Sequence, residues 1–125
     1  MIVDTNALSA AADGDSAVTS ILARAEQMAI PTIVLGEYRY GIFQSRHRAT
    51  REEWLRGLLR DCFVLDVSEP TTHYYAEITL ELRRRGKPIP TNDIWIAALC
   101  RQHSLPVLSR DRHFDLIPGT KRIGW

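Results

Sequence analysis

The apolar positions along the chain switch repeatedly between short continuous runs and helical spacing. "MIV" at 1–3 is apolar and partly β-branched, and Asp4 follows at once, so residues 1–4 read as a strand. A short helix is predicted over 5–12, ended by the turn-forming Asp13-Gly14-Asp15. Ser16 is placed to cap a helix reaching about Met28. "AIPTIVL" at 29–35 predicts a second apolar strand, with Pro31 marking an edge or entry. Helix follows from Gly36 to about Arg46, and Thr50 with Glu53 forms a capping-box pattern before "EWLRGLLRDC". "FVLDV" at 63–67 is a third strand. Ser68, Glu69 and Pro70 start a long helix that runs to Arg85 and stops at Gly86. An extended "KPIP" leads to Thr91 or Asn92, either of which can cap the helix over "DIWIAALCRQHS". "PVLS" at 106–109 is a fourth strand, 110–117 a tight or single helical turn, and "KRIGW" a last edge strand.

Strands separated by helices predict β-α-β units, hence an α/β fold with a mostly parallel central sheet. Continuous apolar strands fit a sheet covered by helices on both faces. The length, 125 residues at 45% hydrophobic, suits a single domain over 1–125. No apolar run approaches the roughly 18 residues that span a bilayer, and no basic-then-apolar leader opens the chain, so no membrane association and a cytoplasmic location are expected. Cys62 and Cys100 sit in apolar segments without C-x-x-C spacing and are expected to be reduced and buried. The net charge is only +1, which argues against indiscriminate polyanion binding. Fourteen of the sixteen basic residues are arginine, whose planar fork suits phosphate oxygens, but in so nearly neutral a chain any phosphate-binding surface is local.

Four acids fall at corresponding places in this scheme. Asp4 closes the first strand, and Glu37 lies two residues past the second, in the first turn of its helix. Asp93 lies in the first turn after "KPIP", and Asp111 two residues past "PVLS". Singly, Glu37 and Asp93 serve equally well as partners of a helix dipole, and Asp4 and Asp111 as N-caps. In an open parallel sheet, however, ligand sites form beyond the carboxyl ends of the strands, and all four acids can reach that edge. Two carboxylates about 4 Å apart repel by about 4 kcal/mol at an effective dielectric near 20. Nothing adjacent in sequence neutralises four of them, whereas a divalent cation does. Carboxylates are hard ligands that suit Mg²⁺ or Mn²⁺. No histidine stands in a ligand spacing with these acids, which disfavours zinc. Asn6, Thr91, Asn92 and Ser109 adjoin the acids and are candidates to orient carboxylates or waters, or else simple capping and turn residues.

"IVDTNAL" at 2–8, "GEYRYGI" at 36–42, "PTNDIWIAAL" at 90–99 and "LSRDRHFDLIPG" at 108–119 resemble, in order, the PIN-domain ribonucleases, and more narrowly the VapC-type toxins of bacterial toxin–antitoxin pairs. The resemblance covers essentially the whole chain. It implies a three-layer α/β/α domain and an acidic Mg²⁺ or Mn²⁺ site. Asp4, Glu37, Asp93 and Asp111 match the family's acidic quartet. Asn6 matches its polar residue two places after the first acid, and Thr5 and Ser109 its small polar residues near the site. It further implies a cognate antitoxin protein and a homodimer. Tyr38, Tyr40, Ile42, Phe43, Trp54, Leu55 and Leu58, over 36–62, are candidates for an apolar groove that takes an antitoxin helix or tail.

The expected reaction is endonucleolytic hydrolysis of RNA by water, leaving 5′-phosphate and 3′-hydroxyl ends. Arg83, Arg84, Arg85 and Lys87 run into the Asp93 segment, and Arg110 and Arg112 flank Asp111; these six are candidates for contact with RNA phosphates. "SRHRATRE" at 45–52 reads as a solvated loop, Trp95 and Phe114 as core, and His113 as a structural or surface residue. A housekeeping RNA-processing nuclease is the alternative within the same chemistry. An aspartyl phosphatase needs a second acid where Asn6 stands. A receiver domain lacks a convincing acceptor at Asp66 and a placed lysine at Lys121, and a non-catalytic RNA-binding module would be repelled by the bare quartet.

Overall fold

The computed structural model, which describes residues 1–125, builds a five-stranded sheet from the apolar runs. The strands are β1 (Ile2–Val3), β2 (Met28–Pro31), β3 (Cys62–Leu65), β4 (Val107–Leu108) and β5 (Arg122–Ile123). Their order is β3-β2-β1-β4-β5, and every neighbouring pair is parallel. β1 is the central strand, with Ile2 opposite both Ala29 and Val107. Ile2, Val3, Ile30, Val107 and Leu108 are all buried, as a sheet interior requires. The helices α1 (Thr5–Ala12), α2 (Ser16–Arg24), α3 (Thr32–Phe43), α4 (Arg48–Leu59), α5 (Glu69–Arg84) and α6 (Thr91–His103) flank it, and a 3-10 helix spans Arg112–Leu116. The expected α/β architecture is therefore present. β5 lies at the edge, as "KRIGW" suggests.

Several local boundaries differ from the sequence reading. β2 ends at Pro31, and the β-branched "TIV" that follows is helical. Burial decides this: Val34, Tyr38 and Ile42 recur every four residues and form the inward stripe of α3, which overrides their strand propensity. Pro31 thus closes an interior strand and does not mark an edge. Glu37 consequently stands in the second turn of α3, not the first, and cannot serve the helix dipole. Asp15, not Ser16, caps α2, accepting from the amides of Ala17 and Val18 at 2.9 and 3.2 Å, and that helix stops at Arg24. α4 begins at Arg48, which leaves Thr50 and Glu53 inside the helix with no capping role. Thr91 and Asn92 lie in the first turn of α6 behind Pro90, and neither caps it. β3 is an edge strand with Phe63 and Val64 exposed, so it is not covered on both faces. Cys100 is buried and Cys62 half-buried, both as free thiols.

α5 and α6 are joined by polar as well as apolar contacts. Thr71, wholly buried, donates its hydroxyl to Gln102 Oε1 at 2.6 Å and accepts the Ser68 amide at 3.0 Å. Arg101 spans Glu77 (2.7 Å), Glu81 (3.3 Å) and the Pro118 carbonyl (2.7 Å), tying both helices to the segment after the 3-10 helix. Thr71→Val keeps the shape but strands both partners of the hydroxyl. It is expected to cost about 1–2 kcal/mol, read as a lower urea midpoint at unchanged slope.

Candidate active site

The carboxyl ends of β1 and β4 lie side by side, so the residues that leave them meet. Asp4 follows β1, is 5% exposed, and caps α1 by accepting the Thr5 amide on Oδ1 at 2.8 Å. Its Oδ2 accepts from the Ser109 hydroxyl at 2.6 Å and from Asn6 Nδ2 at 3.1 Å. Ser109, wholly buried after β4, also accepts the Asp111 amide at 2.9 Å. Asn6 Oδ1 accepts the Arg110 amide at 3.1 Å. Asp4, Asn6, Ser109 and the 110–111 backbone thus form one hydrogen-bonded unit. Asp111 caps the 3-10 helix by accepting the His113 amide at 2.9 Å. His113 Nδ1 lies 2.9 Å from Asp111 Oδ1 and 3.0 Å from Asp93 Oδ2, which arrives from the first turn of α6.

Electrostatics tie all four acids into one group. Asp93 is pushed from an ordinary 3.8 to about 6, first by burial and further by the charges of Asp111 and Asp4, against the His113 hydrogen bond. Burial raises Asp4 as well, partly offset by Ser109 and Thr5, and Asp111 adds to the rise. Glu37 is raised by partial burial and then by the Asp4 charge, with the Thr5 and Asn92 side chains opposing. The Asp93 hydrogen bond raises His113. No lysine or arginine forms an ion pair with any of the four; Arg110 pairs with Asp15 at 3.3 Å and Arg122 with Asp115 at 2.9 Å. The potential ligand atoms of Asp93, Asp111 and His113 lie within 4.8 Å of one another. Close carboxylates, of which Asp4, Glu37 and Asp93 resist ionisation even with His113 between two of the four, are what a divalent cation relieves, so the residues fit a divalent metal.

Residues 1–119 match the PIN domain. The chain belongs to the PIN-domain family. Within it, the chain is 30% identical over 106 residues to Ribonuclease VapC2 of Rickettsia felis, covering 84% of this chain and 79% of that one. It is 26% identical over 100 residues to Ribonuclease VapC5 of Mycobacterium tuberculosis, covering 78% and 74%. The fold superposes on VapBC2 of Rickettsia felis, solved bound to a DNA fragment from its promoter. That match has a TM-score of 0.88 and 26% identity, and covers 99% of this chain and 97% of that one.

In this PIN domain the sequence reading missed one group, His113. No regular spacing links it to Asp93; the 3-10 turn after Asp111 folds it back among the acids, contrary to the expectation that no histidine stands in a ligand spacing with them and that His113 is a structural or surface residue. Trp95 stacks on Tyr75 at 3.9 Å between centroids and is half-buried, while Phe114 is core as expected. Among the candidate RNA contacts, Arg83, Arg84, Lys87 and Arg112 are exposed. Arg85 donates to the Leu116 carbonyl at 2.8 Å, and Arg110, besides its pair with Asp15, lies over Trp125. Those two are already engaged.

Ser109→Ala deletes the shortest hydrogen bond to Asp4, strands the Asp111 amide and leaves Asn6 Nδ2 with Asp4 alone. We expect a loss of about 2 kcal/mol in denaturant unfolding. We also expect RNA cleavage to slow by about 10- to 100-fold, because Asp4 loses its orientation.

Proposed function

We propose that this protein is an endoribonuclease that hydrolyses RNA phosphodiester bonds with Mg²⁺ or Mn²⁺, and is the toxin of a toxin–antitoxin pair. The observation that carries the reading is that Asp4, Glu37, Asp93 and Asp111 come from four separate segments and act on one another electrostatically, with no lysine or arginine paired to any of them and His113 the basic group between Asp93 and Asp111. Relatives named as ribonucleases support the substrate class, among them the tRNA(fMet)-specific endonuclease VapC of Shigella flexneri, 26% identical over 79% of this chain.

The predominance of carboxylate donors favours Mg²⁺ or Mn²⁺, held by the four acids with His113 beside them. Such an ion, when bound, would lower the pKa of water so that the nucleophilic hydroxide forms near neutral pH, and would offset charge on the phosphate and the departing 3′ oxygen. The chain's own residues prepare that site. Ser109, Asn6 and the Thr5 amide fix both oxygens of Asp4. The His113 amide fixes one oxygen of Asp111. His113 Nδ1 and Asp93 hold a proton between them when the cation is absent. The products are 5′-phosphate and 3′-hydroxyl ends.

The partner of this reading is an antitoxin protein, consistent with the VapBC complexes that share the fold. Of the apolar groove candidates, Tyr38, Ile42 and Leu55 are in the core. Tyr40 (67% exposed) and Phe43 (57%) on α3, with half-buried Trp54 and Leu58 on α4, remain as contact surface for an antitoxin or a second copy. No helix is long and apolar enough to cross a membrane, and the cytoplasm is the proposed location. Residues 1–125 act as one domain in this reading.

Purified protein incubated with structured RNA should cleave with Mg²⁺ or Mn²⁺ and stop with EDTA or in Asp4→Asn. Cleavage that survives either sinks the reading. Expression should arrest growth, and co-expression of the antitoxin should relieve it; growth without arrest favours the housekeeping alternative.

A further inference from the structure

Beside the acid cluster, between α1, α3 and the start of α4, lies a cavity of about 410 Å³ whose lining includes Thr5, Glu37, Tyr38, Gly41, Gln44 and Arg51. It opens directly from the site already described, because Thr5 and Glu37 belong to both. Three features mark it as built for a ligand. Tyr38 is only 5% exposed, and its hydroxyl and that of Thr5 are buried without a well-formed hydrogen bond, their polar neighbours being Arg51 and Glu37. Under-satisfied buried hydroxyls are costly, and here both belong to residues that line an open space. Gly41 stands one turn after Glu37 on the same face of α3; a Cβ there meets nothing within 4 Å, so this chain's own packing does not require glycine. Arg51 brings a cation whose one ion pair, to Asp13, is long at 3.9 Å and solvent-exposed. The Arg51 charge faces the Tyr38 hydroxyl and opposes the rise that burial imposes on it, while Asp13 and Glu52 act the other way.

We propose that this cavity is the subsite for the nucleotide next to the scissile bond, with the Arg51 guanidinium on its phosphate and the Tyr38 and Thr5 hydroxyls as further donors. The proposal rests on the ribonuclease reading and names where its substrate lies. Donors and one cation around an acidic rim suit a phosphate diester that passes from Arg51 to the metal-holding acids. Gly41 keeps open the volume that a sugar or base fills. This assigns to α4 a role that the sequence reading withheld, since 45–52 read as a solvated loop.

The test measures binding, so that it does not depend on turnover. A fluorescein-labelled single-stranded oligoribonucleotide is titrated by anisotropy, in Mg²⁺, with full-length Asp93→Asn protein as the uncleaving parent. Adding Arg51→Gln should weaken binding about tenfold and reduce the salt slope by about 1. Gly41→Met fills the cavity with a good helix former, so its melting temperature should hold or rise while RNA affinity falls by a similar factor. Arg56→Gln, exposed elsewhere on α4, should bind as the parent does. Unchanged RNA affinity in both cavity variants overturns the proposal. So does a loss confined to antitoxin binding, which makes the cavity a protein-docking site. If the protein with Asp93 intact cleaves no RNA, the ribonuclease reading falls, whatever the cavity variants bind.

Discussion

Asp93→Asn is expected to produce a protein that is more stable than its parent and nearly inactive. The carboxyl group of Asp93 is raised from 3.8 to about 6, chiefly by burial and then by the charges of Asp111 and Asp4. Holding it ionised at neutral pH therefore opposes folding, by at most about 3 kcal/mol for a carboxyl raised that far. Asparagine keeps an acceptor for His113 Nδ1 and removes the charge, so a gain of about 1–2 kcal/mol remains after the weaker hydrogen bond. Activity moves the other way. In the proposed reading a cation held by the four acids would lose one charged ligand, and we expect cleavage to fall about a thousandfold, or about 4 kcal/mol of barrier. Thermal melting in EDTA, run beside RNA cleavage in Mg²⁺, separates this from simple unfolding. A variant that is both less stable and inactive contradicts it, because that pattern makes Asp93 a structural residue. Opposite signs are the mark of a site strained for function.

How much of this was legible before the fold was known depends on what each residue's position obeys. The apolar runs at 1–4 and 106–109 gave β1 and β4, and with them the adjacency of Asp4 and Asp111, because buried parallel strands need continuous hydrophobicity. Asp93 in the first turn of α6 followed from Pro90, which cannot continue an upstream helix. Glu37 was placed on the right edge but in the wrong turn. "TIVL" after Pro31 has the chemistry of a strand, and only its packing against α1 and the sheet makes it helical. The capping box at Thr50 failed for a related reason. The motif scores local hydrogen bonding, while α4 starts earlier, where Arg48 also lies over the Phe43 ring at 3.9 Å. His113 stands two residues past Asp111 in sequence but reads there as a structural or surface residue, not as a partner of the acids. Its approach to Asp93 is set by a 3-10 turn and by buried Phe114 anchoring that turn, neither of which has a period to read. The cavity at Arg51 was hidden for the same kind of reason, since it exists only where three helices meet.

The second large effect is a stability that falls with pH unless a divalent cation is present. The sign follows from the folded-state pKa values. Asp93 binds its proton more tightly folded than unfolded, so between 3.8 and about 6 the native protein carries more protons than the unfolded chain. Stability then decreases as pH rises through that window. His113 acts in the same direction, because its raised pKa means that the stabilising charge is present below its ordinary 6.5 and lost as pH rises through the higher folded value. Raised Asp4 and Glu37 add to the slope. From Asp93 alone, the metal-free protein should lose up to about 3 kcal/mol between about pH 4 and pH 7.5. In the proposed reading Mg²⁺ or Mn²⁺ would bind the same carboxylates when they are ionised, and so would replace the protons and stabilise the fold most where protons are scarce. Melting temperatures measured in EDTA should therefore fall steadily from about pH 5 to pH 7.5, and the increment from added Mn²⁺ should grow over the same range. In Asp93→Asn the EDTA slope should flatten and the Mn²⁺ increment shrink together. A metal-free protein that instead gains stability over that range has carboxylates already compensated by its own groups, and the physical reason for placing a cation among them is gone.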